Sequence, residues 1–378
     1  MKAKKSMSDA IGDLPRLRSA IEKSEFDAVV VVSPENVRYM GDVHIATQAT
    51  LRDRLAFIIW AKGRDPIALV CFVEQAYVAQ ESWISDIRSY REFVTDPVDA
   101  LAEILRELKL ERGHIGLEID YLPARSFNQL TAALPQMKVS KAEGLLTRVR
   151  MVKTPRERER LTDAYQSTEK AFLATYGMIQ PNDTERLMAI RLAENILISG
   201  ADSVAFNHIN AGPNTGFPHA TPGDYRVQKG DIVKADSGGS YGEYYSNLGR
   251  TAKLGKLTDE DKSYWSRLRE IHHAVADMLR PGNTGRMLYE KAKELQTRAG
   301  MEFPYSHNGH GIGLVLHERP YVNAFEDIPY EAGMMSTIET RIRWPGKVGY
   351  HMEDLYEITA SGSVRRSIVF PNEEIFVI

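Results

Sequence analysis

Two glutamates, Glu339 and Glu353, stand inside apolar, strand-like surroundings, Thr337-Ile-Glu-Thr340 and His351-Met-Glu-Asp354. A carboxylate taken out of water without a partner is costly, so a fold that buries both must bring positive charge to them. The neighbouring Arg341 and Arg343 offer ion pairs, and a bound metal ion would serve the same purpose. The two glutamates alone leave both solutions open.

Three stretches upstream add further donors. Asn214-Thr-Gly-Phe-Pro-His-Ala-Thr-Pro222 places His219 in a loop rich in proline and glycine. In Lys234 to Thr251, Asp236 closes a β-branched strand and Asn247 opens the next, eleven residues later. A glycine-rich turn lies between them, and a hairpin there lets the two side chains meet across strands. Ser306 to Pro320 carries His307, His310 and His317, with Gly309, Gly311 and Gly313 leaving room beside His310 for backbone or ligand. Taken singly, each has a plainer reading. An aspartate after a strand is usually a turn or cap, and a histidine in a glycine-rich loop is usually structural. Together, carboxylates and imidazole at strand ends suit a hard to borderline divalent cation such as manganese, cobalt or zinc. Two such ions, about 3.5–4 Å apart, can share a hydroxide and polarise a carbonyl. His44, His114, His208, His272 and His273 read as structural or surface residues.

The rest of the chain reads as two textures. Residues 1–150 alternate strand-like and helix-like pieces, an α/β layer pattern. Phe26–Val32 is a strand stopped by a turn at Ser33-Pro-Glu-Asn36; Arg54–Trp60 and Pro66–Phe72 form a hairpin; Asp99–Leu108 has helical spacing; His114–Ile119 is a strand. Past a boundary at 145–153, capping signals open four helices at Thr154, Thr184, Thr258 and Thr284. Strand-like pieces at 231–235, 250–254, 334–338 and 355–359 lie among and after them, an α+β pattern. No internal repeat is evident by eye.

Composition narrows the function classes. Lys+Arg number 48 and Asp+Glu 51, a formal net charge of −3 over 378 residues, which provides no electrostatic footprint for nucleic acid or an anionic membrane. The basic start, Met1-Lys-Ala-Lys-Lys-Ser-Met7, is followed by no apolar run, and no stretch approaches a membrane span. The single cysteine, Cys71, lies in an apolar run and reads as a buried core thiol. These features lead to the expectation of a cytoplasmic protein.

The four polar stretches, in this order, resemble the M24 "pita-bread" metallopeptidase family, which includes Xaa-Pro dipeptidases, Xaa-Pro aminopeptidases, methionine aminopeptidases and the metal-free creatinases. The resemblance covers 151–378 and extends more weakly into the first half, where Ser33-Pro-Glu-Asn-Val-Arg-Tyr-Met-Gly41 looks like part of a creatinase/prolidase N-terminal domain. It implies an α+β pita-bread C-terminal domain over 151–378 behind an α/β creatinase/prolidase-type domain over 1–150. It implies metal ligands at Asp236, His310, Glu339 and Glu353, with Asn247 where the family has a second aspartate. It further implies catalytic roles for His219, His317 and Glu339, substrate-facing roles for His351 and Arg343, and a homodimer.

Three residues depart from the pattern. Asn247 removes one negative charge, leaving about three against the four positive charges of two divalent ions, which favours one tight ion with a weaker second. His351 stands where the peptidases often carry arginine, and Thr340-Arg-Ile-Arg343 replaces their Pro-Gly after Glu339. The reading is a metal-dependent hydrolase of a small amide, an Xaa-Pro dipeptidase-like enzyme using a metal-bound hydroxide and one or two ions of manganese, cobalt or zinc. The alternatives are a creatinase-like C–N hydrolase or lyase acting on a non-peptide metabolite, and a non-catalytic binding protein.

Overall fold

The computed structural model describes residues 5–378, so the first four residues of the basic N-terminal stretch lie outside the described residues. The chain divides into two units between Arg150 and Met151.

The strands of the first unit are β1 (Ala28–Val31), β2 (Phe57–Ala61), β3 (Ile67–Cys71), β4 (Asp86–Tyr90), β5 (His114–Leu117) and β6 (Lys138–Lys141). They form one mixed sheet in the order β4-β3-β2-β1-β5-β6. β1, β2 and β3 are buried along their whole length, which is why they read as continuous apolar runs without alternation. Helix Pro97–Glu107 lays Leu101, Ile104 and Leu105 on this core, and Cys71 is buried within it. The segment after β1 is not the simple turn expected. Ser33 caps a helix, Pro34–Gly41, accepting from the Asn36 amide at 3.2 Å. Proline suits the first helical position because the amide it lacks would go unpaired there. The buried Glu118 carboxylate accepts from the Ser33 amide at 2.8 Å and the Ser33 hydroxyl at 2.9 Å, which fixes the entry of this helix.

The second unit adds β7 (Ser203–Ala211), β8 (Ile232–Tyr241), β9 (Tyr244–Tyr245), β10 (Leu248–Lys253), β11 (His307–Gly311), β12 (Glu318–Asn323), β13 (Met335–Trp344), β14 (Val348–Ile358), β15 (Ser363–Arg365) and β16 (Phe376–Val377). One sheet runs β16-β10-β8-β7, with β9 on β8; the other runs β12-β11-β13-β14-β15. β8, β13 and β14 extend past the short apolar pieces read from the sequence. Asp236, Glu339 and Glu353 therefore lie mid-strand, with polar neighbours that are themselves buried. Gly238 permits this: a Cβ there would fall 1.8 Å from the Ser246 carbonyl.

This unit contains a repeat that the sequence reading did not find. Helices Pro155–Tyr176 and Glu185–Ile198 precede the first sheet, and Asp259–Ala276 and Gly285–Arg298 precede the second. The connections match at a spacing of 100 residues: Met178, Pro181, Thr184 and Gly200 against Met278, Pro281, Thr284 and Gly300. Thr184 and Thr284 each cap a helix and each bridge to a later strand-like residue, Arg226 and Pro329. The turn and cap positions are shared because these demand particular residues, whereas the helix interiors, which need only pack, mostly differ.

The first helix of this unit starts on a complete capping box. Thr154 Oγ1 accepts from the Glu157 amide at 3.2 Å, and Glu157 accepts from the Thr154 amide at 2.7 Å and from Tyr244 Oη at 2.9 Å. Thr154→Ala is expected to cost about 1 kcal/mol in denaturant unfolding, with little change in m.

Candidate metal centre

β13 and β14 pair antiparallel, with Glu339 directly across from Glu353 and Arg341 across from His351. Two like carboxylates at adjacent register positions repel one another unless a cation lies between or beside them. On the other sheet, β8 carries Asp236 opposite Gly249 of β10. Thr251 of β10 stitches the two sheets together, donating to the His351 carbonyl at 3.0 Å and accepting from its amide at 2.8 Å. Asp236 and Glu353, 117 residues apart in sequence, thus converge on one buried space.

His310 enters from β11. Its Nδ1 donates to the Gly311 carbonyl at 2.8 Å, which leaves the Nε2 lone pair facing the carboxylates. Nε2 lies 3.6 Å from Glu339 Oε1 and 3.6 Å from Glu353 Oε1, and the three donor atoms lie within 4.8 Å of one another. Asn247 reaches the same place, its Nδ2 3.1 Å from His310 Nε2. His219 Nε2 is 3.9 Å from Asp236 Oδ2, on an exposed loop held by Lys234, whose Nζ donates to the Pro218 carbonyl at 3.1 Å. His317 is exposed and its ring stacks on that of His310, with centroids 3.9 Å apart.

Burial dominates the electrostatics. It pushes Asp236 up to about 6, with Glu339 adding to the rise, and raises Glu353 well above the carboxylate range, with Glu339 and Asp236 contributing. Burial also opposes ionisation of Glu339, but Arg341 and His307 beside it hold its carboxyl well below the usual range. Burial takes His310 down to about 3, so its imidazole is neutral. Three close carboxylates and a neutral imidazole form a set that a cation would relieve.

The residues fit a divalent cation. Both Glu353 carboxylate oxygens and Asn247 Oδ1 are buried with no hydrogen-bond partner among the described residues. Polar atoms in that condition are rare in folded proteins and call for a missing ligand.

Some of the surroundings differ from the sequence reading. Of the two solutions for the glutamates, Glu339 takes the ion pair with Arg341 while remaining beside His310; Glu353 takes no arginine among the described residues. Arg343 is half-buried and shares the Glu339 face of β13. His351, read from the resemblance as substrate-facing, is buried, 1% exposed, in the floor beside Asp236 and Glu353. His208, read as structural or surface, packs its ring 5.0 Å from that of His219. His307, quoted but given no role, brings Nε2 within 3.4 Å of Glu339 Oε1. Strict alternation would send His307 and His310 to opposite faces. A register shift on β11, with Gly309 at φ 143° beneath the Thr337 carbonyl, turns both toward the carboxylates. Gly309 was the available signal.

The profile of Metallopeptidase family M24 matches residues 159–360, and that of the Creatinase/Prolidase N-terminal domain matches 14–152. The chain belongs to metallopeptidase family M24. Its relatives include the probable dipeptidase PepE of Mycobacterium tuberculosis, 34% identical over 247 residues, an alignment spanning 65% of this chain and 66%, just under two thirds, of that relative. The Xaa-Pro dipeptidase of Pyrococcus furiosus is 26% identical over 93% of this chain and 96% of its own length. The crystal structure of dipeptidase PepE from Mycobacterium ulcerans superposes with a TM-score of 0.84 at 28% identity, covering 97% of this chain and 96% of that one. The M24 chain thus has a creatinase/prolidase-type domain followed in sequence by a pita-bread domain. No helix of the described residues is long and apolar enough to cross a membrane.

Proposed function

We propose that this M24 chain is a metal-dependent dipeptidase that cleaves dipeptides with a proline-like second residue. The observation that carries this reading is the convergence of Asp236, Asn247, His310, Glu339 and Glu353, with buried oxygens left unpaired, beneath two exposed histidines. The relatives' names, dipeptidase PepE and Xaa-Pro dipeptidase, support the substrate class.

A bound manganese, cobalt or zinc ion would supply Lewis-acid polarisation of the scissile carbonyl and acidify a water molecule. The remaining work falls to side chains. Glu339, kept ionised by Arg341 and His307, accepts and returns a proton. His219 and His317, both exposed at the mouth, hold the substrate and stabilise the charge developing on its oxygen. Arg343 offers a cation for the carboxylate of a dipeptide. The buried lone thiol, Cys71, suits a reducing, cytoplasmic compartment, and a homodimer belongs to the same proposal.

Metal-stripped protein is expected to be inactive on Xaa-Pro dipeptides and to regain turnover with manganese, cobalt or zinc. Chelator-insensitive turnover, or none with any of the three, would overturn the reading. His219→Gln is expected to lower kcat/KM by about 10²–10³-fold with metal content unchanged, as for loss of one oxyanion donor. Asn247 and His351 favour a second reading, a C–N hydrolase or lyase acting on a non-peptide metabolite. Metal-restored turnover in a metabolite screen, with dipeptides untouched, would select it. The non-catalytic alternative has less support, since a pure scaffold has little physical reason to keep these carboxylates buried.

A further inference from the structure

We infer that His351 is a metal ligand of this chain, joining Asp236 at the first ion to bind. The inference rests on the metal-binding reading above and adds a donor to it.

His351 is 1% exposed, and both ring nitrogens lack a hydrogen-bond partner among the described residues. A buried imidazole with neither nitrogen satisfied is costly unless something absent occupies one of them. Each nitrogen faces a carboxylate at more than hydrogen-bond length. Nδ1 is 3.6 Å from Asp236 Oδ2, and Nε2 is 3.9 Å from Glu353 Oε2. Donors that share one cation at about 2.1 Å lie roughly 3–3.5 Å apart, so Nδ1 and Asp236 Oδ2 stand near the separation that one ion requires, while Nε2 on the other edge of the ring faces Glu353.

The fold makes room for the ring and fixes its backbone. Gly249, opposite Asp236 on β10, lies under the imidazole, and a Cβ there would come within 2.6 Å of its Cε1 and Nδ1. Thr251 holds the His351 amide and carbonyl together, so the ring cannot swing outward with its strand. His351 and Glu353 project from the same face of β14, two residues apart.

The neighbouring half of the centre is the weaker one. Glu339 is already paired with Arg341, and Asn247 contributes no charge and turns Nδ2 toward His310. Asp236 and Glu353 have no arginine or lysine partner within ion-pair distance among the described residues. The first cation therefore meets the uncompensated Asp236 carboxylate and the His351 imidazole, with the Glu353 carboxylate nearby. An imidazole among the donors favours zinc and cobalt over manganese.

X-ray absorption at the zinc edge on full-length protein loaded with one equivalent is the direct test, because it detects imidazole scattering from the metal without using activity. Wild type is expected to show imidazole coordination that persists in His310→Gln and disappears in His351→Gln. Zinc affinity by competition with a chromophoric chelator is expected to fall about 100-fold or more in His351→Gln, beyond the loss typical of an outer-shell partner. Wild type with no imidazole at the first ion overturns the inference without any variant having to fold. Imidazole scattering and affinity that follow His310 and ignore His351 overturn it while leaving the metal centre standing. No zinc retained by wild type overturns both together.

Discussion

Glu353→Gln is expected to empty the metal centre and, at the same time, to stabilise the metal-free protein. Glu353 lies across from Glu339 and faces His310 and His351, so it is the one carboxylate shared by both halves of the centre. Its amide keeps the shape but gives up the charge that a hard cation needs. Metal affinity should fall by about 100-fold or more, since even an outer-shell partner is worth 10–100-fold. Turnover in the proposed dipeptidase reaction should fall about 10³-fold, the equivalent of some 4 kcal/mol of transition-state stabilisation. Without metal the sign reverses. Burial and two neighbouring carboxylates already raise Glu353 well above the usual range, and glutamine removes that repulsion. A gain of about 1 kcal/mol is expected for metal-stripped protein, in line with relief of strain at functional sites. Thermal melts with and without zinc separate the two effects: wild type gains stability on metal addition, and the variant starts higher and does not respond. A variant that melts lower than wild type without metal, or that keeps its metal, would show that Glu353 is a structural carboxylate.

Arg250→Met is expected to destabilise the second unit by about 3–5 kcal/mol, the cost of leaving a buried charge without its partner. The Arg250 side chain is fully buried, with Nη2 2.8 Å from Glu169 Oε1 and 2.8 Å from Asp354 Oδ1. It also donates to the carbonyls of Gly249 and Glu353, so it clamps the two sheets directly behind the metal centre. The melting temperature should drop by roughly 10 °C for a unit of this size. The ion pair also sets an acid limit. Burial alone would raise Asp354, but Arg250 and His272 hold it far below the carboxylate range. Its stabilisation is therefore present in full above the unfolded value of about 3.9 and is lost as the pH falls below that. A melting temperature within 2 °C of wild type, measured on metal-free protein to exclude a ligand effect, would show that the clamp contributes little.

Part of this fold and site was legible because local chemistry leaves marks in sequence. Thr154, Thr184, Thr258 and Thr284 are caps in the structure, since an orphan amide at a helix start needs a side-chain oxygen wherever the helix later packs. The buried strands β1 to β3 read correctly because strands covered on both faces carry little but apolar residues. The lengths of β8, β13 and β14 did not, because all three continue through charged residues, and β8 and β14 also through glycine, that end an apolar run in sequence. Those residues remain in strand because their polar groups find partners there: Thr251 of the opposing sheet secures the His351 backbone, and Arg341 pairs with Glu339 along β13 itself.

By itself, the sequence determined which donors this protein owns: two glutamates in apolar strands, an aspartate and an asparagine eleven residues apart, and a histidine among glycines. Their types limit the partner to a cation, whatever the fold. Tertiary structure alone decided how the donors divide. Strand register set Glu339 against Glu353, the shift at Gly309 turned His307 toward them with His310, and the gap over Gly249 admitted the His351 ring. A one-residue change of register reverses the face of every side chain on a strand. The face that each donor turns to the site is therefore fixed by pairing between segments far apart in the chain.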